Sequence, residues 1–168
     1  MFEKLEQQVH EFYSNKYLRN RYPSLSYVST KHGFINGDSP DIAAVALGYK
    51  PAALWHEDWS DVNSHYITKC AYRGKELFHL GGHYSNYFNK SEANSIVVCD
   101  RADFSKFELI FNKVGKCREW GELLGYPKHL VNLFAEFVEC DSGRNLPDWD
   151  TYNAKAEEMA LRLCLDMD

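Results

Sequence analysis

The sequence predicts an α+β protein. A small mixed or antiparallel sheet comes from about residues 25–35, 64–80 and 95–100 and is covered by N-terminal and C-terminal helices, with an α/β arrangement as the alternative. Three observations carry this. Apolar residues recur at helical spacing at both ends of the chain, and alternating or β-branched runs occupy its middle. The 168 residues are also 45% hydrophobic and 15% aromatic, which supplies the core of one globular domain spanning 1–168.

Taken in chain order, Phe2, Leu5, Val9 and Phe12 step by three and four, predicting an amphipathic helix to about residue 18 that Tyr22-Pro23-Ser24 ends. Leu25 to Thr30 reads as a short strand running on toward Gly33. Ser39 and Pro40 suit the cap and first position of a helix with Ile42, Val45 and Leu47 on its apolar stripe, and Gly48 suits its left-handed end. Residues 51–61 are ambiguous between strand and helical turn. From Ser64 the pattern alternates, with His65, Ile67 and Ala71 on one side and Tyr66, Thr68, Cys70 and Tyr72 on the other. The turn Arg73-Gly74-Lys75 and the run Glu76–Leu80 complete an expected β-hairpin.

Ser95–Asp100 is short and β-branched, as a central strand should be, and leads into a helix near Asp103 with Phe104, Phe107, Phe111 and Val114 buried. Cys117–Leu124 forms a helix ended by Gly125-Tyr126-Pro127, and Leu130, Val131, Phe134, Phe137 and Val138 line the next. After a loop at 141–147, Asp148 or Asp150 can cap a last helix. Tyr152, Ala156, Met159, Leu163 and Met167 share one face of it, leaving Leu161 and Leu165 off that face. Leu47-Gly48-Tyr49 and Leu124-Gly125-Tyr126, each followed closely by Pro, read as a shared way of ending a helix rather than a duplication.

Several classes drop out. The 11 Tyr, 10 Phe and 4 Trp against a net charge of −5 exclude intrinsic disorder, and no run is apolar enough to span a membrane. The acidic start Met1-Phe-Glu-Lys argues against an export signal, so a cytoplasmic setting is expected. The Asn89-Lys-Ser91 glycosylation pattern is then without consequence. Cysteines 70, 99, 117, 140 and 164 stand at least 18 residues apart with no C-x-x-C pair, which fits small core residues in a reducing compartment.

Candidate chemistry is concentrated in the middle. His56, His65, His79 and His83, with Glu57, Asp58 and Asp61, are candidate metal ligands, with His65 and His79 as cross-strand neighbours if the hairpin register pairs them. Gly81 and Gly82 weaken any helical pairing of His79 with His83, and more simply permit a turn. Tyr84, Tyr87 and Phe88 beyond them read as core. Cys99, where a strand meets a helix, is a candidate nucleophile with His79 or His83 as base, although a last buried strand residue explains it more simply. No cofactor is expected, and a divalent metal belongs only to the enzyme reading.

Charge is uneven. Residues 1–35 hold five basic and three acidic side chains, net +2; 36–135 hold eleven and twelve, net −1; and 136–168 hold three and nine, net −6. Lys16, Arg19 and Arg21, interleaved with aromatics, are candidate nucleic-acid contacts, but a sequence pI near 5.8 makes such a partner the third choice. The leading reading is an intracellular protein-binding or regulatory protein of inhibitor or adaptor type. It acts on another protein, or on itself as a homodimer, through Trp149, Tyr152, Leu161 and Leu165 with acidic charge around them. An enzyme using the 56–100 region is the alternative.

Overall fold

The computed structural model describes residues 2–22, 25, 40–56, 61–81, 95–111, 116–140 and 149–166. Helix α1 (Phe2–Ser14) buries Leu5, Val9 and Phe12, the stripe that the sequence displays. The chain does not continue as one helix to residue 18. Asn15 turns extended (ψ 104°), and its side-chain oxygen accepts the Leu18 N–H at 3.1 Å, so a new helix α2 (Lys16–Arg21) is capped there. It ends at Tyr22, whose extended backbone is what a residue before Pro23 requires. Helix α3 (Pro40–Ala46) starts at its proline and is buried at every residue except Asp41.

Three strands follow: β1 (Ala53–His56), β2 (Glu76–Gly81) and β3 (Ser95–Cys99). The order is β1-β3-β2, and β3 pairs antiparallel with both neighbours, placing Val98 between Ala53 and Leu77 and Ile96 between Trp55 and His79. The expected central strand is therefore central, and Ile96, Val97, Val98 and Cys99 are all at most 1% exposed. Both faces of the sheet are covered. Val98, Ala53 and Leu77 pack with residues of α1, α3 and α4, whereas Val97, Cys99, Leu54 and Phe78 pack with α5 and α6. The result is α+β, as expected, and mostly helical.

The expected hairpin over 64–80 is corrected in its first half. Residues 61–72 form helix α4 (Asp61–Tyr72), and only β2 survives as a strand. The competing signal lies at Asn63, Tyr66 and Cys70, which step by three and four and are all buried. Helical spacing with an inward Tyr66 outweighs the short run of β-branched and aromatic residues. The third strand comes instead from the ambiguous 51–61 region, as β1. The expected strand at 25–35 lies outside the described residues except for Leu25, which is buried.

In the second half the expected helices are present, but the one after β3 ends at Ile110, so that Phe111 is its C-cap and Val114 lies outside the described residues. Helix α5 (Arg101–Ile110) starts two residues before Asp103 and buries Phe107 and Ile110, with Phe104 stacked on Phe78 at 4.3 Å. Helix α6 (Cys117–Leu124) packs on α7 (Lys128–Cys140), and helix α8 (Trp149–Asp166) lies against α7 and α2. The Leu-Gly-Tyr echo has a spatial meaning that duplication does not need. Gly48 (φ 87°) and Gly125 (φ 78°) each end a helix in the left-handed region, and the two turns meet: Gly125 abuts the Pro51 ring, and the Lys50 ammonium sits 4.6 Å from the centre of the Tyr126 ring. Among the described residues no helix is long and apolar enough to cross a membrane.

Candidate functional site

Helix α8 has two faces of different character. Tyr152, Ala156 and Ala160, at four-residue spacing, are buried; Tyr152 meets the edge of Phe134, and the set joins Leu130 and Leu133 of α7. Toward α2 the contact is polar. Glu157 accepts the Tyr17 hydroxyl at 3.0 Å and pairs with Arg21 at 3.3 Å, and the Asn20 carbonyl meets His129 Nε2 at 2.6 Å. The acidic C-terminal segment thus reaches the basic N-terminal one inside the same chain.

With its inner face filled, α8 leaves Leu161 (52% exposed) and Leu165 (74% exposed) one turn apart on its outer face. The Glu158–Arg162 ion pair at 3.1 Å flanks them. These are the two leucines the periodicity places off the buried face. Of the other expected contact residues, Tyr152 points inward and is 5% exposed, because its ring fills the space between α7 and α8. Trp149 opens α8, and its side chain lies outside the described residues.

The basic stretch is largely engaged by the fold. Lys16 is exposed, but Arg19 lies over the Tyr13 ring at 4.5 Å and Arg21 is held by Glu157. Burial lowers the pKa of Arg19, an effect opposed by the Tyr13 phenolate form.

Three of the four histidines sit on different elements. His56 ends β1 opposite Ser95, His79 is exposed on β2 opposite Ile96, and His65 is on α4 stacked on Phe2 at 3.9 Å. His65 and His79 are therefore not cross-strand neighbours, because one of them is helical. His83, like Gly82, Tyr84, Tyr87 and Phe88, lies outside the described residues. Among the described residues no three His, Cys, Asp or Glu side chains gather as a metal site.

Cys99 is fully buried, and its thiol is pushed up to about 12 by burial first and then by the carboxylates of Asp103 and Asp100. A nucleophilic cysteine needs the opposite environment. Cys70 is likewise pushed up to about 11 by burial, and its Sγ contacts the Ile42 carbonyl at 3.7 Å. Both behave as core residues.

One arrangement has no counterpart in the expected sites. The turn after α3 and the turn after α4 bring Lys50, Arg73 and Lys75 to one pocket. Its sequence signal is thin: a lysine two residues past a helix-ending glycine, and two cations flanking Gly74, in segments that read only as turns. Comparison of the chain with protein-family models, with curated proteins and with solved structures finds no match in any of the three.

Proposed function

We propose that this chain is a protein-binding, regulatory protein whose contact surface is the outer face of α8 around Leu161 and Leu165. The observation that carries the proposal is the pair of exposed leucines one turn apart on a helix whose other face is already packed. Two leucines at i, i+4 spacing are the anchor pattern by which a helix enters an apolar groove. Burying what is still exposed of each is worth about 1–2 kcal/mol, enough together to anchor a small interface.

The surrounding charge selects the partner. Helix α8 carries Asp150, Glu157, Glu158 and Asp166 against Lys155 and Arg162, net −2, so a second copy on this face adds like charge whereas a groove with a basic rim complements it. The partner is therefore a different protein with an apolar groove and basic edges. A cytoplasmic, reducing setting belongs to the proposal and is supported by the buried free thiols of Cys70, Cys99 and Cys117.

The test is affinity capture from the native source with the unmodified chain and with the Leu161→Asp/Leu165→Asp variant in parallel, read by quantitative mass spectrometry. Both positions are exposed, so the variant keeps its circular dichroism and melting temperature. A stoichiometric basic partner with the unmodified chain, lost with the variant, is the expected result. The same proteins on both, or none on either, overturns the proposal.

A further inference from the structure

The pocket between the turn that follows α3 and the turn that follows α4 has a volume of about 420 Å³. Among the described residues its wall holds three cations, Lys50, Arg73 and Lys75, and no carboxylate, in a chain whose net charge is −5. Tyr49 and Gly48 line it as well. We propose that this pocket binds a small phosphorylated solute, with Arg73 and Lys75 meeting the phosphate oxygens, the buried Lys50 behind them, and Tyr49 facing the rest of the ligand.

Each cation is fixed before a ligand arrives. The Arg73 Nε donates to the Ala46 carbonyl at the end of α3, and the guanidinium lies across Gly48, where a side-chain carbon would fall 2.5 Å from its NH1. A carbonyl orients the guanidinium without neutralising it, and among the described residues no carboxylate pairs with Arg73. Lys50, with its side chain 2% exposed, is held by Asp41 at 3.2 Å, and Lys75 by Asp100 at 3.2 Å. Neither acid lines the pocket, so each anchors its lysine from behind and offsets its charge, and Arg73 is the cation of the wall that no carboxylate among the described residues pairs with. Tyr49 is held too, stacked on Tyr13 at 4.6 Å with its hydroxyl against His10.

Phosphate fits this wall better than a single carboxylate. A phosphomonoester carries about −1.5 to −2 charge on three terminal oxygens, of which a planar guanidinium takes two at once and a neighbouring ammonium the third. A cavity of this volume lies within the range of about 300–1,000 Å³ typical of small-ligand sites. It is far too small for a protein surface, so the site is independent of the α8 face.

The experiment titrates inorganic pyrophosphate into the ¹⁵N-labelled chain at low ionic strength, with sodium chloride of matched ionic strength as control. Saturable shifts at the amides of Gly48, Lys50 and Gly74, absent with chloride, are expected, with at least tenfold weaker binding in Arg73→Gln. Because Arg73 also bonds the end of α3, Lys75→Gln provides a second variant, in which at least fivefold weakening is expected with the melting temperature unchanged. Shifts that do not saturate, that spread over surface lysines, or that persist equally in folded Arg73→Gln and Lys75→Gln overturn the proposal.

Discussion

Burial at single residues sets both reactivity and response to pH. Cys99 and Cys70 titrate near 12 and 11 in the folded chain, against 9.0 for a free thiol. A group raised in the folded state contributes stability that is present below its unfolded pKa and lost as pH rises through its folded one. Urea midpoints should therefore fall from about pH 9 upward, and the Cys70→Ala/Cys99→Ala variant should show a shallower fall. Tyr13 and Tyr66 are raised in the same sense by burial, so the thiol share is read from the difference between the two proteins. An identical slope would show that the thiols are not protected. Lys50 makes a second residue-scale prediction. Lys50→Ala leaves Asp41 beside an empty site and removes the cation over Tyr126, so a loss of about 3 kcal/mol in denaturant unfolding is expected. A loss below about 1 kcal/mol would mean that the pair is solvated like a surface one.

At the scale of the element, legibility follows from how many turns each stripe spans. Helix α6 is readable to its last residue because Cys117, Trp120 and Leu124 give the period and Gly125 gives the stop. Gly125→Ala should cost about 1–3 kcal/mol, since the left-handed backbone is retained and the new carbon meets Pro51. Helix α4 misleads because Ile67, Thr68 and Tyr72 favour strands locally, whereas the deciding residue, Tyr66, acts by filling the space beside Phe2 and Glu6. That space is made by α1, which no window around residue 66 contains. Thr68 discriminates between the two readings. It is exposed on α4 and bonds back to the Ser64 carbonyl at 3.2 Å, so Thr68→Ala should raise stability by about 0.5 kcal/mol in a helix. In a strand the same change would lower it. Asn15 is a residue type that caps helices, but the apolar stripe on either side of it conceals the stop.

For the molecule as a whole, the long-range organisation is electrostatic as much as apolar. The uneven charge read from the sequence predicts a basic N-terminal and an acidic C-terminal end, and the fold joins them through Glu157, Tyr17 and Arg21. What the sequence could not show is that this contact occupies Arg21, because the pairing with Glu157 spans more than a hundred residues, whereas Arg19 is occupied locally by the nearby rings of Phe12 and Tyr13. The α8 surface was half legible. Helical periodicity separates Leu161 and Leu165 from the buried face, but only packing against Phe134 shows that Tyr152 belongs inside. The anion pocket was illegible, since its three cations come from two turns that meet only in the folded chain. The measurement that tests the central claim most directly is the affinity of the captured partner for the unmodified chain and for Leu165→Asp, at low and high salt. At least tenfold weaker binding by the variant, with an unchanged melting temperature and an affinity of the unmodified chain that falls as salt rises, is the predicted result. Equal affinities for the two proteins would contradict the assignment of α8 as the binding face.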